Sequence, residues 1–438
     1  MENPVHILRT AWTAVAVFTL TLAAACNDST SPPYTSGGGP GPGTTVSIAF
    51  CAGSEPDWLA FQDGNGTWTR AQPTISGSRA TYQNTFNSDR GAVATARVFA
   101  HGVSSVSVQY GLPAELAIVG DTNPLQCGGP VPFALLGSVA GIDTTDEEAQ
   151  ISAGLELRTT APHGADNTFA LLGLSPGPQE ILAARVTRLD PTTVVVSRLI
   201  LRRVGDLPDS TTLPVFDFNS AESFAPFLST VTIDGLGPEG ATVNTLLRTA
   251  HSLSVVSFGV GDMQAPTRSY RAVPGEQLAP GDLEILSAQS GPVTTTDLRS
   301  TALYFRSNVP QTLTLGPVVT PPTFSTIATT PALRLGAHFV AQSAYDQRTS
   351  IAFQQGTTTL VNVAMTAAYA TLAGAGYDLV IPDLSQVPGF DPTWALRAGT
   401  STLWTATRTG GTLGLGNDAV AVDGTFTRSA TVSGMLPD

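Results

Sequence analysis

The sequence predicts an all-β protein built of tandem β-sandwich modules, and three observations carry that prediction. Charged residues make up 13% of the 438 residues while 42% are hydrophobic; globular chains average about 25% charged, so the chain has little Glu and no Lys from which to build helix surfaces. All 21 basic residues are Arg, and the polar remainder is mostly Thr, Ser, Gln and Asn, with Thr suited to a pleated, half-buried surface. Apolar and polar residues alternate at period two, strictly or loosely, over 93–100, 103–108, 179–186, 194–200, 350–353 and 358–365, with Gly, Pro, Asn and Asp clusters between the runs. Long apolar heptads are missing. Composition permits short helical turns only at 220–228 and 295–300.

Taken in order, the first element is a leader. Arg9 closes a short basic region opposed by Glu2, residues 11–25 are uncharged and largely apolar, and Leu22-Ala23-Ala24-Ala25 runs into Cys26. This segment resembles the lipobox of bacterial lipoproteins, with Leu22 one place further from the cysteine than the most frequent pattern puts it. The resemblance implies that Cys26 takes a diacylglycerol on its thiol and becomes the new N-terminus after cleavage. An uncleaved anchor fits less well, because the uncharged run ends at Asp28, short of the ~20 apolar residues that span a bilayer. Two or more acyl chains, at ~0.8 kcal/mol per buried methylene, anchor a protein stably. The expectation is an exported, membrane-anchored lipoprotein, and Asn27 after the cysteine favours the outer membrane or cell surface over the inner membrane. Residues 26–45 follow as a tether, since Ser36-Gly37-Gly38-Gly39-Pro40-Gly41-Pro42-Gly43 has nothing to pack.

Four modules are expected after the tether, because 438 residues exceed one core of ~100 to 200 residues. The first, 46–128, contains Cys51 and Cys127, and an oxidising compartment makes a disulfide between them the default. The second, 129–208, contains Leu136-Gly137-Ser138-Val139-Ala140-Gly141, then Ala149-Gln150-Ile151-Ser152, then a run from Asn167 through Phe169, Leu171 and Leu174 to Pro176-Gly177. That order resembles the carboxypeptidase-regulatory-like, transthyretin-like β-sandwich, over under a fifth of the chain; it implies a sandwich fold and a structural or accessory role without chemistry. The third and fourth modules, 209–320 and 321–438, carry strand patterns and no family signature.

Candidate sites are few. Trp58 with Trp68 and Trp394 with Trp404 sit at the same ten-residue spacing, each pair bracketing a turn signal, so each reads as a β-hairpin; symmetric closure of the first sets Trp68 across from Phe61. These four tryptophans are either an aromatic platform for stacking on sugar rings or cross-strand core pairs. Asp63-Gly64-Asn65-Gly66 opens like a calcium loop, but Thr74 stands where the bidentate glutamate belongs. Asp143, Asp146, Glu147 and Glu148 form an acidic run that reads as a solvated loop rather than a weak cation site. His6, His101, His163, His251 and His338 lack zinc spacing, no G-x-S-x-G elbow occurs, and Gly411-Thr412-Leu413-Gly414-Leu415-Gly416 lacks the lysine of a phosphate cradle and reads as hairpin punctuation. The expectation is therefore no catalytic residue, no metal and no cofactor. The net charge of −13 leaves no basic stripe for nucleic acid.

Two functions remain open at this stage. One is a non-enzymatic envelope or surface protein, presenting a binding face to polysaccharide or envelope proteins or serving as a scaffold. The other is a secreted glycan-active hydrolase with a carboxylate pair. The anchor is testable directly. Intact-mass analysis of the membrane fraction should find residues 1–25 lost, lipid mass gained, and the remainder lighter by two hydrogens when unreduced, from Cys51 joined to Cys127. A Cys26→Ala chain should keep its leader and leave the acylated fraction; an identical mass and location for both chains would remove the lipobox reading.

Overall fold

The computed structural model describes residues 43–99, 102–117, 133–154, 157–162, 167–189, 194–257, 262–290, 297–374, 376–415 and 421–437. Cys26, the tether up to residue 42 and Cys127 lie outside the described residues. The described part is all-β: 29 strands against two short α-helices.

The first strands are β1 (Thr44–Cys51), β2 (Trp58–Asp63), β3 (Thr69–Arg70), β4 (Thr74–Ser76), β5 (Arg79–Phe86), β6 (Gly91–Val98) and β7 (Ser104–Gly111), followed by α1 (Pro113–Leu116). Strands β1, β5 and β4 form one sheet. Its Val46, Ile48, Phe50, Tyr82 and Phe86 pack on Leu59, Phe61 and Val93 of β2 and β6. The alternate residues Trp58, Ala60, Ala94 and Ala96 face the other way, into a second and larger core. Both faces of β2 are thus covered, and its Trp-Leu-Ala-Phe run has no polar position for that reason.

A separate sandwich follows, made of β8 (Phe133–Ala140), β9 (Glu147–Ala153), β10 (Leu157–Pro162), β11 (Thr168–Leu174), β12 (Gln179–Arg188), β13 (Val194–Val204), β14 (Thr211–Thr212) and β15 (Phe216–Asp217). The sheet β10-β9-β12-β13 faces the sheet β11-β8-β14 across Leu135, Ile151, Phe169, Leu171, Ile181 and Phe216. Gly137 is required here: a Cβ would stand 2.4 Å from the Phe169 ring.

Next come β16 (Phe227–Asp234), β17 (Ala241–Arg248), β18 (Leu253–Ser257), β19 (Thr267–Ala272), β20 (Leu283–Ser290), β21 (Leu298–Phe305) and β22 (Gln311–Thr314). Sheet β19-β16-β22 covers β17, β20 and β21 through Val231, Ile233, Tyr270, Leu286 and Phe305. The last elements are β23 (Thr323–Ala328), β24 (Arg334–Phe339), β25 (Arg348–Gln355), β26 (Thr359–Thr366), α2 (Ala367–Ala373), β27 (Tyr377–Val380), β28 (Thr402–Gly411) and β29 (Phe426–Leu436). Leu335, Ala337, Phe339 and Leu379 of the sheet β23-β24-β27 close the larger core over Ile351, Phe353, Val361, Val363 and Trp404.

One twelve-stranded sheet joins these parts in the order β18-β17-β20-β21-β29-β28-β25-β26-β7-β6-β2-β3. Every pairing in it is antiparallel except β26 with β7, which runs parallel from Thr359↔Ser104 to Met365↔Tyr110. Strands from residues 58–111, 241–305 and 348–436 therefore share one hydrogen-bonded surface. The separate sandwich docks on it through Leu182, Val186 and Leu199 against Leu247, Val256 and Val273. Polar contacts frame that junction: Glu180 accepts from the Thr249 hydroxyl and from His251 N (both 3.1 Å), and Leu253 N donates to Gly154 O (2.8 Å).

The helical segments differ from the sequence reading. Residues 227–228 open β16 and residues 298–300 open β21, because Ser300 pairs with Gln289 of β20 and Ser429 of β29 while Arg299 pairs with Ala430 of β29, and ladder pairing outweighs local propensity. The actual longer helix, α2, is Ala-rich, is N-capped by Thr366, whose hydroxyl accepts from Tyr369 N, and ends on Gly374 at φ 61°.

Under the docked junction lies Glu284, fully buried on β20 opposite Leu247. Val273 N donates to its Oε1 (2.7 Å), while Oε2 has no partner. Burial pushes its carboxyl well above the usual range, the Val273 hydrogen bond opposes this, and nearby Asp282 adds to it. The folded state therefore holds the proton more tightly than the unfolded chain, and stability falls as pH rises from about 4.5 towards the raised value. Glu284→Gln keeps an acceptor for Val273 N and removes the charge. It should flatten that part of the pH profile and raise the neutral-pH urea midpoint; a variant with the slope of the original chain would show that Glu284 does not cause it.

Candidate functional site

At the free edge of the twelve-stranded sheet, the β1–β2 loop and the segment after β3 enclose an open cleft of about 400 Å³. Its polar lining is Glu55, Asp57, Arg70, Gln72 and Tyr82, and Pro56 and Pro73 stiffen its walls. The loop is held by its own backbone: Ala52 N donates to Ser78 O (2.8 Å), the Ser54 hydroxyl donates to Cys51 O (3.1 Å), and Glu55 accepts from Gly53 N. Asp57 Oδ2 accepts from Val98 N at 2.7 Å, which ties the loop to the end of β6. Arg70 stands opposite Ala60 in the β2–β3 pairing, and Ala71 N continues that ladder to Leu59 O (2.9 Å).

Tyr82 is the buried floor, its hydroxyl directed at Pro56 O (3.5 Å). Burial raises its phenol, Glu55 adds to the rise, and Arg70 and Arg97 oppose it, which places these charges around one ring. No carboxylate pairs with Arg70 among the described residues. Two carboxylates, a guanidinium and an amide thus converge on one solvent-open space. Each is planar and offers two hydrogen-bonding atoms side by side, the geometry that meets adjacent hydroxyls on one molecule.

The four tryptophans are dispersed differently from a platform. Trp58 and Trp404 are 1% and 7% exposed and share the larger core. Trp68 and Trp394 are half-buried and pack against the same core. Trp58, Phe390 and Trp394 form an edge-to-face chain with centroids 5.2 and 5.5 Å apart, and Trp58 Nε1 donates to Pro388 O (3.2 Å). Of the two readings, the core one describes Trp58 and Trp404. The first pair brackets a hairpin, β2 with β3, whose register is one residue off the symmetric one, while the second does not. Phe61 pairs with Thr69, one residue beyond Trp68, because Gln62 Nε2 bonds Gly66 O inside the turn. Pro392–Trp394 is a 3-10 turn capped by Asp391, whose carboxylate accepts from Thr393 N (2.8 Å).

Cys51 is 0% exposed. Asp63 accepts from Asn87 N and Ser88 N (2.9 Å each); burial opposes its ionisation, and those bonds outweigh it, lowering its carboxyl. In the acidic run, Arg185 faces Asp143 (3.6 Å) and Glu147 (3.9 Å), and Arg188 faces Glu148 (3.4 Å). Gly411 ends β28 at φ 133°, where a Cβ would stand 2.3 Å from Phe426 O. His338 pairs with Asp378 across β24 and β27 on an exposed surface. His101 and His163 lie outside the described residues. Among the described residues no group of three His, Cys, Asp or Glu side chains is placed to hold a metal, and no helix is long and apolar enough to cross a membrane. The cleft residues carried no sequence signal, because Glu55 and Asp57 lie in the β1–β2 loop, Arg70 in the two-residue β3 and Gln72 just after it, with no fixed spacing. A buried indole should be structural, so Trp404→Ala should cost about 3–5 kcal/mol in urea unfolding; a loss below about 1 kcal/mol would restore the exposed reading of that ring.

No family model matches the chain, and a search of curated proteins finds no match. Among solved structures it is similar to one described as "a putative adhesin from Bacteroides ovatus ATCC 8483", at 11% identity over 45% of this chain and 94% of that one, with a TM-score of 0.16. It is also similar to the Bacillus anthracis TIE protein, at 8% identity over 83% of this chain and 63% of that one, with a TM-score of 0.14. At these scores neither likeness assigns a role.

Proposed function

We propose that this chain is a lipid-anchored, non-enzymatic cell-envelope or surface protein, held by Cys26, whose β-sandwich array presents a saccharide-binding cleft at the free edge of its long sheet. The observation that carries the reading is the convergence of Glu55, Asp57, Arg70 and Gln72 on one open cleft. In this reading the sandwich of β8 to β15 is the transthyretin-like accessory module, and a Cys51–Cys127 bridge closes the first module in an oxidising compartment. The membrane is reached through the lipid, and the partner is a polysaccharide of the envelope or cell surface.

A hydrolase is the second reading, favoured by the presence of two carboxylates in the same cleft. Glu55 and Asp57 lie two residues apart on one loop, each accepting from a backbone N–H. A glycosidase needs its carboxyls on opposite sides of the scissile bond, and one loop is a poor source for both. Glycan-array screening followed by calorimetry with the retained oligosaccharide separates the readings. Binding should weaken roughly 10- to 100-fold in Arg70→Ala and in Asp57→Asn, the range for losing a charge-assisted hydrogen bond, without release of new reducing ends. Release of reducing ends would move the assignment to the hydrolase. Retention unchanged in both variants would remove the cleft from the reading.

A further inference from the structure

We propose that Arg408 and Thr349 form a buried binding site for a monovalent anion of halide size inside the larger core. The two residues are direct partners across β28 and β25, which sets their Cβ atoms about 5 Å apart on the core face. Arg408 is 1% exposed and Thr349 is 0% exposed. Nη1 of Arg408 donates to Val340 O (2.7 Å) and to Gln342 Oε1 (3.2 Å), and the Tyr377 ring lies 5.0 Å from Cζ. Its Nε and Nη2 have no hydrogen-bond partner, and neither does the Thr349 hydroxyl. No carboxylate pairs with Arg408 among the described residues.

Burying a cation without a counter-charge is among the most costly things a core does. The surroundings do not supply the missing charge. Arg299, Arg408 and Arg428 all lie near enough to act on the buried Tyr345 phenol. Arg299 is held by Glu239, while Arg428 donates to Thr314 O and lies over the Phe426 ring. Asp346, beside Tyr345, accepts from Gly411 N. The unused groups are two guanidinium nitrogens carrying three N–H bonds and a hydroxyl able to donate. A donor set around a net positive charge selects an anion over a metal cation. Burial of the guanidinium selects a small one, because a sugar acid or a nucleotide has no surface through which to enter. Halide accepts from several donors with weak directional demand, and it neutralises Arg408 where a water molecule would only satisfy hydrogen bonds.

The test is thermal unfolding of the full chain in sodium bromide or chloride against sodium gluconate at equal ionic strength. Halide should raise Tm by on the order of 2 °C per tenfold increase beyond saturation, the linkage expected for one site in a large folded body. Crystals soaked in bromide should show an anomalous peak between Arg408 and Thr349. Arg408→Met should lose the halide response, and Thr349→Val, which keeps the cation, should reduce it severalfold. Equal Tm in bromide and gluconate would overturn the site, since water would then be the occupant. A full response in Arg408→Met would overturn it as well, and where that variant fails to fold, an undiminished response in Thr349→Val does so.

Discussion

The parallel pairing of β26 with β7 is the contact on which the larger architecture rests. Seven register pairs link Thr359–Met365 to Ser104–Tyr110, and the Ser104–Thr358 contact at its start is 254 residues apart in sequence. Because β7 continues through β6 and β2, the first module presents its sheet's far face to the core of the last one. Trp58, Ala96, Val106 and Val108 then bury against Phe353, Val361 and Val363. Backbone groups left unpaired at that seam would lie against the larger core on one face, where leaving them unsatisfied is costly. The cleft inherits its rigidity from the same seam, since β2 carries the ladder that places Arg70.

This seam also marks where sequence reading stops. Period-two runs located the strands well, because each strand's alternation is a local property: Gln179 opens β12 as read, and Val194 opens β13. Which strand neighbours which is not local. The outward Thr405, Thr407 and Thr409 of β28 face Ser433, Thr431 and Ser429 of β29, yet those side chains would look the same beside any other Ser- or Thr-bearing strand. A covered second face leaves only a faint trace, such as the missing polar position in Trp58–Phe61, and small Ala60, Ala94 and Ala96 where two sheets approach. The cleft is harder still, since its residues meet only after β2, β3 and β5 have paired. Tryptophan spacing suggested a shared motif, but equal spacing places Trp68 beyond a β-turn and Trp394 in a 3-10 turn.

The exclusive use of arginine has a structural counterpart. Arg268, Arg299 and Arg408 are 7%, 7% and 1% exposed; Arg268 and Arg299 spread their forks over backbone carbonyls, whereas Arg408 gives Nη1 alone to Val340 O. Arg299 Nη1 joins Gly235 O and Gly316 O at 2.9 Å each, so one side chain closes two turns. Arg268 reaches Ala265 O at 2.8 Å and also Ala241 O and Met263 O. Arg202 lies 3.9 Å over the Phe216 ring while bonding Val215 O at 2.7 Å and Glu222. A lysine ammonium is a compact, strongly hydrated point with no plane to lay on a ring and no fork to span two loops.

Buried charge in this protein therefore follows a rule that depends on sign. Around the buried arginines, carbonyl dipoles, aromatic faces and, for Arg299, a carboxylate stand in for part of the lost hydration. Glu284 has only Val273 N and an adjacent Asp282 that repels its charge, so it meets the interior by holding its proton. The β-rich interior favours this asymmetry, because loops between strands expose more free carbonyls than free N–H groups wherever proline removes a donor, as at Pro214, Pro238 and Pro317. Cations capable of bridging carbonyls close such loops, and an anion has no comparable supply of donors except where an arginine has been left with donors to spare.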